Sequence, residues 1–124
     1  MKRLIRSQVI KLHDLLIQET GGSEGIRDYG LLDSALNVPF QTFNGEDVYK
    51  SIQAKATRLC FFLIRNHPFM DGNKRIGLLT MSTFLEINGI KIKCTDDGLI
   101  KLGLGLADGT IKEEDLLGWI INHS

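Results

Sequence analysis

The chain has 124 residues, of which 43% are hydrophobic and 24% charged. This length is too short for two independent cores, and the composition excludes a disordered tail or a fibrous repeat. Fifteen basic residues balance fifteen acidic ones, so neither nucleic acid nor a membrane surface is an expected partner. We therefore predict one globular domain over residues 1–124.

The cysteines and the start of the chain indicate the compartment. Cys60 and Cys94 lie in apolar stretches without a CxxC pair, so we expect buried thiols in a reducing environment and no structural zinc site. The basic residues 1–6 run into polar residues before an apolar segment of signal-peptide length can form. No run approaches the roughly 18–20 apolar residues of a membrane span. A cytoplasmic location is therefore expected.

The first part of the chain is predicted to form a helix, a loop and a second helix. Apolar residues at three- and four-residue spacing predict a helix over residues 7–20, which Ser7 caps and a glycine pair ends. A glycine-rich loop follows over 21–30, and the apolar face of 31–36 predicts a short helix. His13 has no second histidine at the spacing of a zinc site, so a structural or surface role is expected.

The middle of the chain contains the two longest predicted helices. They are preceded by a polar segment, 41–46, whose Asn-Gly pair is a strong turn signal, and either an irregular flap or a small hairpin fits it. An apolar stripe over 47–65 predicts the central core helix. A second long helix is predicted over 72–88, with Gly89 where helices commonly stop.

The last third of the chain predicts a strand and two further helices. Alternating apolar and charged residues over 90–94 suit a brief strand. Thr95 begins a helix that two glycines weaken in its second half. Thr110 and Glu113 resemble a capping box for a terminal helix. Together the elements predict an all-α, compact bundle of about six helices with at most a minor β-hairpin or flap.

The junction between the two longest helices concentrates the residues that can do chemistry. It contains the run His67-Pro68-Phe69-Met70-Asp71-Gly72-Asn73-Lys74-Arg75, which we call the junction motif. Pro68 biases the residue before it toward an extended backbone, so the first helix should end near Asn66. His67 would then stand at a helix terminus, where its imidazole can project into a cleft.

The second half of the motif is suited to an anion. Lys74 and Arg75 would lie in the first helical turn, where each cation costs about 0.3–1 kcal/mol against the helix dipole. A bound polyphosphate would reverse that sign, because the unpaired N–H groups of the turn also favour an anion. The Gly72 backbone can approach a phosphate closely, and Asn73 can donate to a phosphate oxygen.

The remaining polar residues of the motif supply a metal ligand and a base. Asp71 is an oxygen ligand suited to Mg2+ that substrate phosphates also hold. A histidine with an ordinary pKa near 6.5 is neutral at cellular pH, so His67 can accept the proton of a hydroxyl nucleophile. These residues predict phosphoryl or nucleotidyl transfer. The alternative is a simple turn with a capping carboxylate and solvated charges, but the joint occurrence favours function.

The junction motif resembles the signature of the Fic/Doc (Fido) family, written HxFx(D/E)GNGRxxR in the members that transfer AMP. Resemblance to the death-on-curing (Doc) branch extends over nearly the whole chain. It is carried by Leu12-His13, Gly25-Ile26-Arg27-Asp28, Leu31-Leu32 and Asn88-Gly89. The resemblance implies a full-length Fic/Doc domain over 1–124.

Two departures from the AMP-transferring pattern are informative. Its glycine is Lys74 here, and its second arginine falls on Leu78. In the Doc branch, the lysine variant goes with a reversed nucleotide, so the resemblance implies transfer of the γ-phosphoryl group of ATP. A long cation in place of a hydrogen also fills space and moves positive charge, so the triphosphate should lie differently.

The resemblance also implies roles and partners. The roles are His67 as the catalytic base, Asp71 as the Mg2+ ligand, Phe69 as an apolar anchor, and Gly72, Asn73, Lys74 and Arg75 as nucleotide-binding residues. The implied target is a Ser or Thr hydroxyl of a translation protein, elongation factor Tu. The implied partner is an antitoxin whose disordered tail folds as a helix on this domain. Segment 41–46 stands where a flap would align the target.

Two other functions remain open from the sequence. The chain could be an AMP-transferring enzyme acting on a protein hydroxyl, or a catalytically silent binding module in a toxin–antitoxin complex. The fate of the α- and γ-phosphates of ATP separates the two enzymatic functions, and a His67 variant separates both from the silent module.

Overall fold

The computed structural model describes all residues from Met1 to Ser124. It has six α-helices and one two-stranded sheet, so the predicted all-α bundle with a minor hairpin is confirmed. In chain order the elements are α1 Arg6–Thr20, α2 Tyr29–Asn37, β1 Thr42–Phe43, β2 Glu46–Asp47, α3 Ile52–Asn66, α4 Asn73–Ile87, α5 Asp96–Asp108 and α6 Glu113–His123. A 3-10 turn, Val38–Phe40, follows α2.

Helices α3 and α4 form the centre of the bundle. They pack against each other, α2, α5 and α6 surround α3, and α1 lies against α4. The two central helices approach closely at Gly77, where an added Cβ would lie 2.7 Å from Ile64 Cγ1. Because both flank the junction motif, their packing fixes the two ends of the site.

The segment before α3 is a hairpin. Thr42 pairs with Asp47 across the antiparallel strands, and the turn between them uses positive φ angles of 53° at Asn44 and 78° at Gly45. Two consecutive left-handed residues are typical of the tight turns that match strand twist. Of the two structures that the sequence left open, the hairpin is therefore the one observed.

Helix α3 begins five residues later than the predicted start at residue 47. Residues 46 and 47 form β2, and Ser51 caps the helix by accepting a hydrogen bond of 2.9 Å from the Ala54 N–H. Lys55 is buried, and its Nζ bonds to Asp47 Oδ2 at 3.1 Å and to the Tyr49 carbonyl. This buried ammonium holds the chain before α3 in a non-helical path.

Other local predictions divide into confirmed and wrong ones. The α5 cap at Thr95 is confirmed, with 3.0 Å to the Gly98 N–H. Ser7 does not cap α1, whose N-cap is Ile5. Thr110 does not cap α6, because its hydroxyl bonds to Asp108 Oδ1 at 2.7 Å while Lys112 is the N-cap.

The predicted strand over 90–94 is wrong, since this segment has no strand partner and its Lys93 N–H donates to the His123 carbonyl at 2.7 Å. Cys60 is buried as expected, but Cys94 is exposed. The glycines of α5 do not interrupt it, because Gly103 and Gly105 are buried against neighbouring side chains. None of the six helices combines the length and apolar character needed to cross a bilayer.

Candidate active site

A cleft of about 500 Å3 lies where α3 ends and α4 begins; we call it the junction cleft. It is lined by His67, Met70, Asp71, Gly72, Asn73, Lys74, Arg75 and Ala107. Every predicted site residue except Phe69 is therefore on its wall. Ala107 comes from the end of α5, which Arg65 holds by donating to the Leu106 and Ala107 carbonyls at 3.3 Å each. No sequence signal pointed to Ala107.

His67 lies on the wall of the cleft, directly after the last residue of α3. The predicted helix end is confirmed, but the predicted extended backbone is wrong, because His67 is left-handed with φ 51° and ψ 60°. Left-handed residues commonly terminate helices, although glycine and asparagine are the usual ones. The side chain is exposed and faces the cleft rather than the core. The base predicted from sequence is thus accessible to a substrate.

The turn between the two helices is closed by Asn73. Its Oδ1 accepts from the Phe69 N–H and its Nδ2 donates to the Phe69 carbonyl, both at 3.0 Å. Both polar atoms of the Asn73 side chain are therefore already used, and the predicted donation from its amide to phosphate would require the bond to the Phe69 carbonyl to break or be shared. Phe69 is 1% exposed, so it lies under the cleft and anchors the turn.

His13 supports this turn from below, which the sequence did not indicate. It is buried on α1, its ring stacks on Phe69 with 3.9 Å between ring centres, and its Nε2 lies 2.8 Å from the Asp71 carbonyl oxygen. A structural role was among those expected, but its place under the site was missed. Val9, His13 and Ile17 are all buried at four-residue spacing, and that stripe was the available signal.

Asp71 presents an ionised carboxylate to the cleft. Its Oδ2 accepts from the Ser23 N–H at 3.1 Å and its Oδ1 from the Gly72 N–H at 2.8 Å. These two hydrogen bonds, with a smaller contribution from the charge of Arg75, lower the pKa of Asp71 below its ordinary value. The chain has no cluster of three metal-binding side chains. One carboxylate still fits Mg2+, which proteins commonly hold with one or two carboxylates and substrate phosphates.

The two cations of the motif differ in what they contact. Arg75 donates to the Thr20 hydroxyl and to the Gly21 carbonyl, the latter at 2.9 Å, and lies 3.8 Å from Asp71. Lys74 is exposed on the cleft wall and has no hydrogen bond or ion pair. Lys74 is therefore the cation available to an anion without giving up a protein contact.

The start of α4 adds backbone donors to this wall. The N–H groups of its first three residues, 73–75, have no acceptor within the chain. They lie at the positive end of the helix dipole. Free N–H groups beside a free ammonium make this end of the cleft suitable for phosphate oxygens.

The loop between α1 and α2, residues 21–28, packs along the motif. Met70 N–H donates to the Gly25 carbonyl at 3.0 Å, and Ile26 forms an antiparallel bridge with Phe69. At Gly22, which has φ +115°, an added Cβ would lie 2.5 Å from Asp71 Oδ2. The sequence indicated a loop here but gave no sign that it shapes the site.

The lowered pKa of Asp71 predicts a pH-dependent contribution to stability. The contribution is present above the ordinary carboxyl range and is lost as the pH falls through the lowered pKa, because only the carboxylate accepts both N–H bonds fully. Asp71→Asn should therefore be less stable than the unmutated protein at pH 7, and the difference should shrink toward pH 3. Chemical denaturation at both pH values measures it.

The matched control is Asp14→Asn, since the Asp14 side chain makes no hydrogen bond or ion pair. It should show no comparable change between the two pH values. A stability difference for Asp71→Asn that stays constant from pH 7 to 3 would contradict the assignment of these two hydrogen bonds.

Comparison with known proteins identifies the family. A family model described as the Fic/DOC family matches residues 3–85. The chain is 44% identical over 77 residues to the toxin Doc of Mycolicibacterium smegmatis, covering 62% of this chain and 59% of that protein. It is 30% identical over 111 residues to the protein kinase doc of Escherichia phage P1, covering 90% of this chain and 86% of that protein.

The first of these alignments spans about three fifths of its relative, whereas the second spans most of both chains. The family model spans α1 to α3, most of α4 and the complete junction motif. On this coverage, and with Doc proteins as its relatives, the chain belongs to the Fic/DOC family.

Proposed function

We propose that the protein is a Doc-type toxin with protein kinase activity. It would transfer the γ-phosphoryl group of Mg-ATP to a Ser or Thr hydroxyl of a translation protein, with elongation factor Tu as the expected target, and so arrest protein synthesis. The observation that carries the proposal is the junction cleft, where an exposed imidazole faces an ionised carboxylate and a free ammonium. The names of the two relatives, a toxin and a protein kinase, support it.

The phosphate-binding part of the reaction would use the start of α4. Lys74 offers an uncompensated positive charge, and the free N–H groups of the first helical turn offer donors that need no rearrangement. Arg75 also lines the cleft, and its bond to the Gly21 carbonyl at the end of α1 limits its freedom. Phosphoryl transfer depends chiefly on such positioning and charge stabilisation.

The chemical step would use His67 as general base. The target hydroxyl oxygen forms a bond to the γ-phosphorus while the bond from that phosphorus to the β–γ bridging oxygen breaks, and ADP leaves. The hydroxyl proton passes to the His67 imidazole and then to solvent. Asp71 would hold Mg2+, which supplies positive charge against the phosphate oxygens when bound. Phe69, Asn73 and His13 keep the turn rigid.

Lys74 is the residue that favours γ-transfer over AMP transfer. In the AMP-transferring pattern this position is glycine, whereas here a long cation occupies the cleft wall. The Lys74 ammonium would stabilise the negatively charged oxygens of a triphosphate placed beside it. The resemblance to the Doc branch supports the same orientation.

Labelled ATP tests this function directly. Purified elongation factor Tu is incubated with the protein and ATP labelled at either the α- or the γ-phosphate, and retained label is measured. We expect label from the γ position only, and Lys74→Gly should weaken that transfer. Retention of the α label would favour AMP transfer and overturn the kinase assignment, and unchanged γ-transfer by Lys74→Gly would contradict the proposed nucleotide orientation.

The proposal includes an antitoxin partner. A toxin acting on translation needs an inhibitor in its own cell, and a disordered tail that folds as a helix can supply one. Residues 20–25 match the sequence string of the inhibitory helix in self-inhibited Fic proteins, but the glycine pair at 21 and 22 disfavours a helix, so the match is a coincidence. The structure agrees, because α1 ends at Thr20 and the residues after it are not helical. Inhibition is therefore assigned to another chain.

A further inference from the structure

Arg27 contacts the residues that end α3. Its Nε donates to the His67 carbonyl and its Nη2 to the Asn66 carbonyl, each at 2.7 Å. The backbone N–H groups of Arg27 and Asp28 donate to the Pro68 carbonyl at 2.8 and 3.0 Å. One short stretch of the loop therefore binds three successive carbonyls on both sides of the His67 side chain.

These bonds stabilise the end of α3 and the backbone of His67. The last carbonyls of a helix have no partner within it, and a cation is favoured at the negative end of the helix dipole. A left-handed backbone is uncommon for histidine and persists where surrounding contacts fix it. His67 has φ 51°, and the Arg27 bonds hold the peptide groups on either side of its Cα.

The charge of Arg27 has no other use in the structure. Its guanidinium makes no ion pair, and the neighbouring Asp28 carboxylate instead caps α2 by accepting from the Leu31 N–H at 3.0 Å. Arg27 is also absent from the residues that line the junction cleft. A direct contact with a phosphate is therefore not the role that the geometry supports.

We infer that Arg27 is a positioning residue for His67. By fixing the two carbonyls, it sets the direction in which the imidazole leaves the backbone and enters the cleft. The inference rests on the proposed function for its catalytic consequence, but the backbone effect on His67 is independent of that function. Loss of Arg27 should reduce the rate of proton acceptance and leave ATP binding unchanged.

The test compares Arg27→Gln and Arg27→Lys with the control Arg3→Gln. Arg3 is a matched arginine, since its Nη2 donates to the Leu36 carbonyl near the end of α2 at 3.1 Å and it does not line the cleft. With γ-labelled ATP and elongation factor Tu, Arg27→Gln should lower kcat roughly tenfold or more with KM for ATP within about twofold. Arg27→Lys should recover part of kcat, and Arg3→Gln should match the unmutated protein.

A second measurement does not need activity. The chain has three histidines, so the backbone resonances of His67 can be assigned by NMR in histidine-labelled protein. In Arg27→Gln, the Cα shift and the HN–Hα coupling of His67 should leave their left-handed values, while those of His123 stay unchanged. Circular dichroism and thermal melts establish that each variant is folded.

The outcomes separate this inference from the proposed function. Unchanged kcat in folded Arg27→Gln overturns the inference, as does a kcat loss that Arg3→Gln shares. If the unmutated protein transfers no γ-phosphate, the kinase proposal fails and NMR alone decides. If His67 keeps its left-handed backbone in Arg27→Gln, the positioning role is overturned. If His67 loses that backbone conformation, the role is supported. If Arg27→Gln does not fold, the same measurements are made on Arg27→Lys.

Discussion

Replacing His67 with alanine should lower γ-phosphoryl transfer to elongation factor Tu by roughly 100- to 10,000-fold, the usual contribution of a positioned general base. The residue is exposed and lines the junction cleft, so the fold should be unaffected. KM for ATP should change little, because the phosphate-binding groups lie at the start of α4. Steady-state kinetics with γ-labelled ATP measure both constants.

His123→Ala is the control for this prediction. His123 lies on α6, where it stacks on Trp119 and its Nδ1 lies 2.7 Å from the Trp119 carbonyl oxygen, so its loss should leave transfer unchanged. The same variants can be expressed in growing cells. Growth arrest by His67→Ala as strong as that caused by the unmutated protein would show that chemistry is not the source of toxicity. The silent binding module would then be the better assignment.

Gly22→Ala should damage the site more than the fold. Its φ of +115° is strained for any residue with a Cβ, and the new methyl group would lie 2.5 Å from Asp71 Oδ2. The carboxylate has to move, which breaks its bond from the Ser23 N–H. We expect about 1–3 kcal/mol of lost stability from backbone strain and a roughly 10- to 100-fold loss of transfer from the displaced carboxylate.

Gly89→Ala separates these two effects. Gly89 has a similar left-handed φ of +86°, but an added Cβ there meets no atom within 4 Å. It follows the far end of α4, about 20 Å from the start of that helix. The control should therefore lose stability without losing transfer. Equal activity of Gly22→Ala and Gly89→Ala, at matched stability, would show that the position of the Asp71 carboxylate is unimportant.

Much of the fold could be predicted because helical periodicity and capping are local signals. The end of α1 at its glycine pair, the cap at Thr95 and the end of α3 at Asn66 were all readable. The start of α3 could not be predicted, because Asp47 belongs to strand β2 and pairs with the buried Lys55 in the first turn of α3. The strand over 90–94 failed since a strand exists only where a partner is available.

The candidate site divides in the same way. The residues of the junction motif are adjacent in sequence, so their meeting in one cleft could be predicted. The side chain of Asn73 was assigned to phosphate, yet it bonds to the Phe69 backbone. His13 and Arg27 were missed as site residues because their roles depend on contacts with residues 58 and 39 or 40 positions away. The stripe of buried positions on α1 could indicate that His13 is buried, but nothing in a single sequence indicates which distant residues His13 or Arg27 would contact.

The packing of residues 21–28 along the junction motif bears on how related genes are interpreted. The nine residues of the junction motif can be retained in a truncated or recombined gene whose product has lost α1 and the loop after it. Such a product would keep every group named in the motif. It would lack the Ser23 N–H that donates to Asp71, the Gly25 carbonyl that accepts from Met70, and the Arg27 side chain that donates to the end of α3. An intact string is therefore insufficient evidence of a working enzyme unless the part of the gene that encodes residues 1–28 is also present.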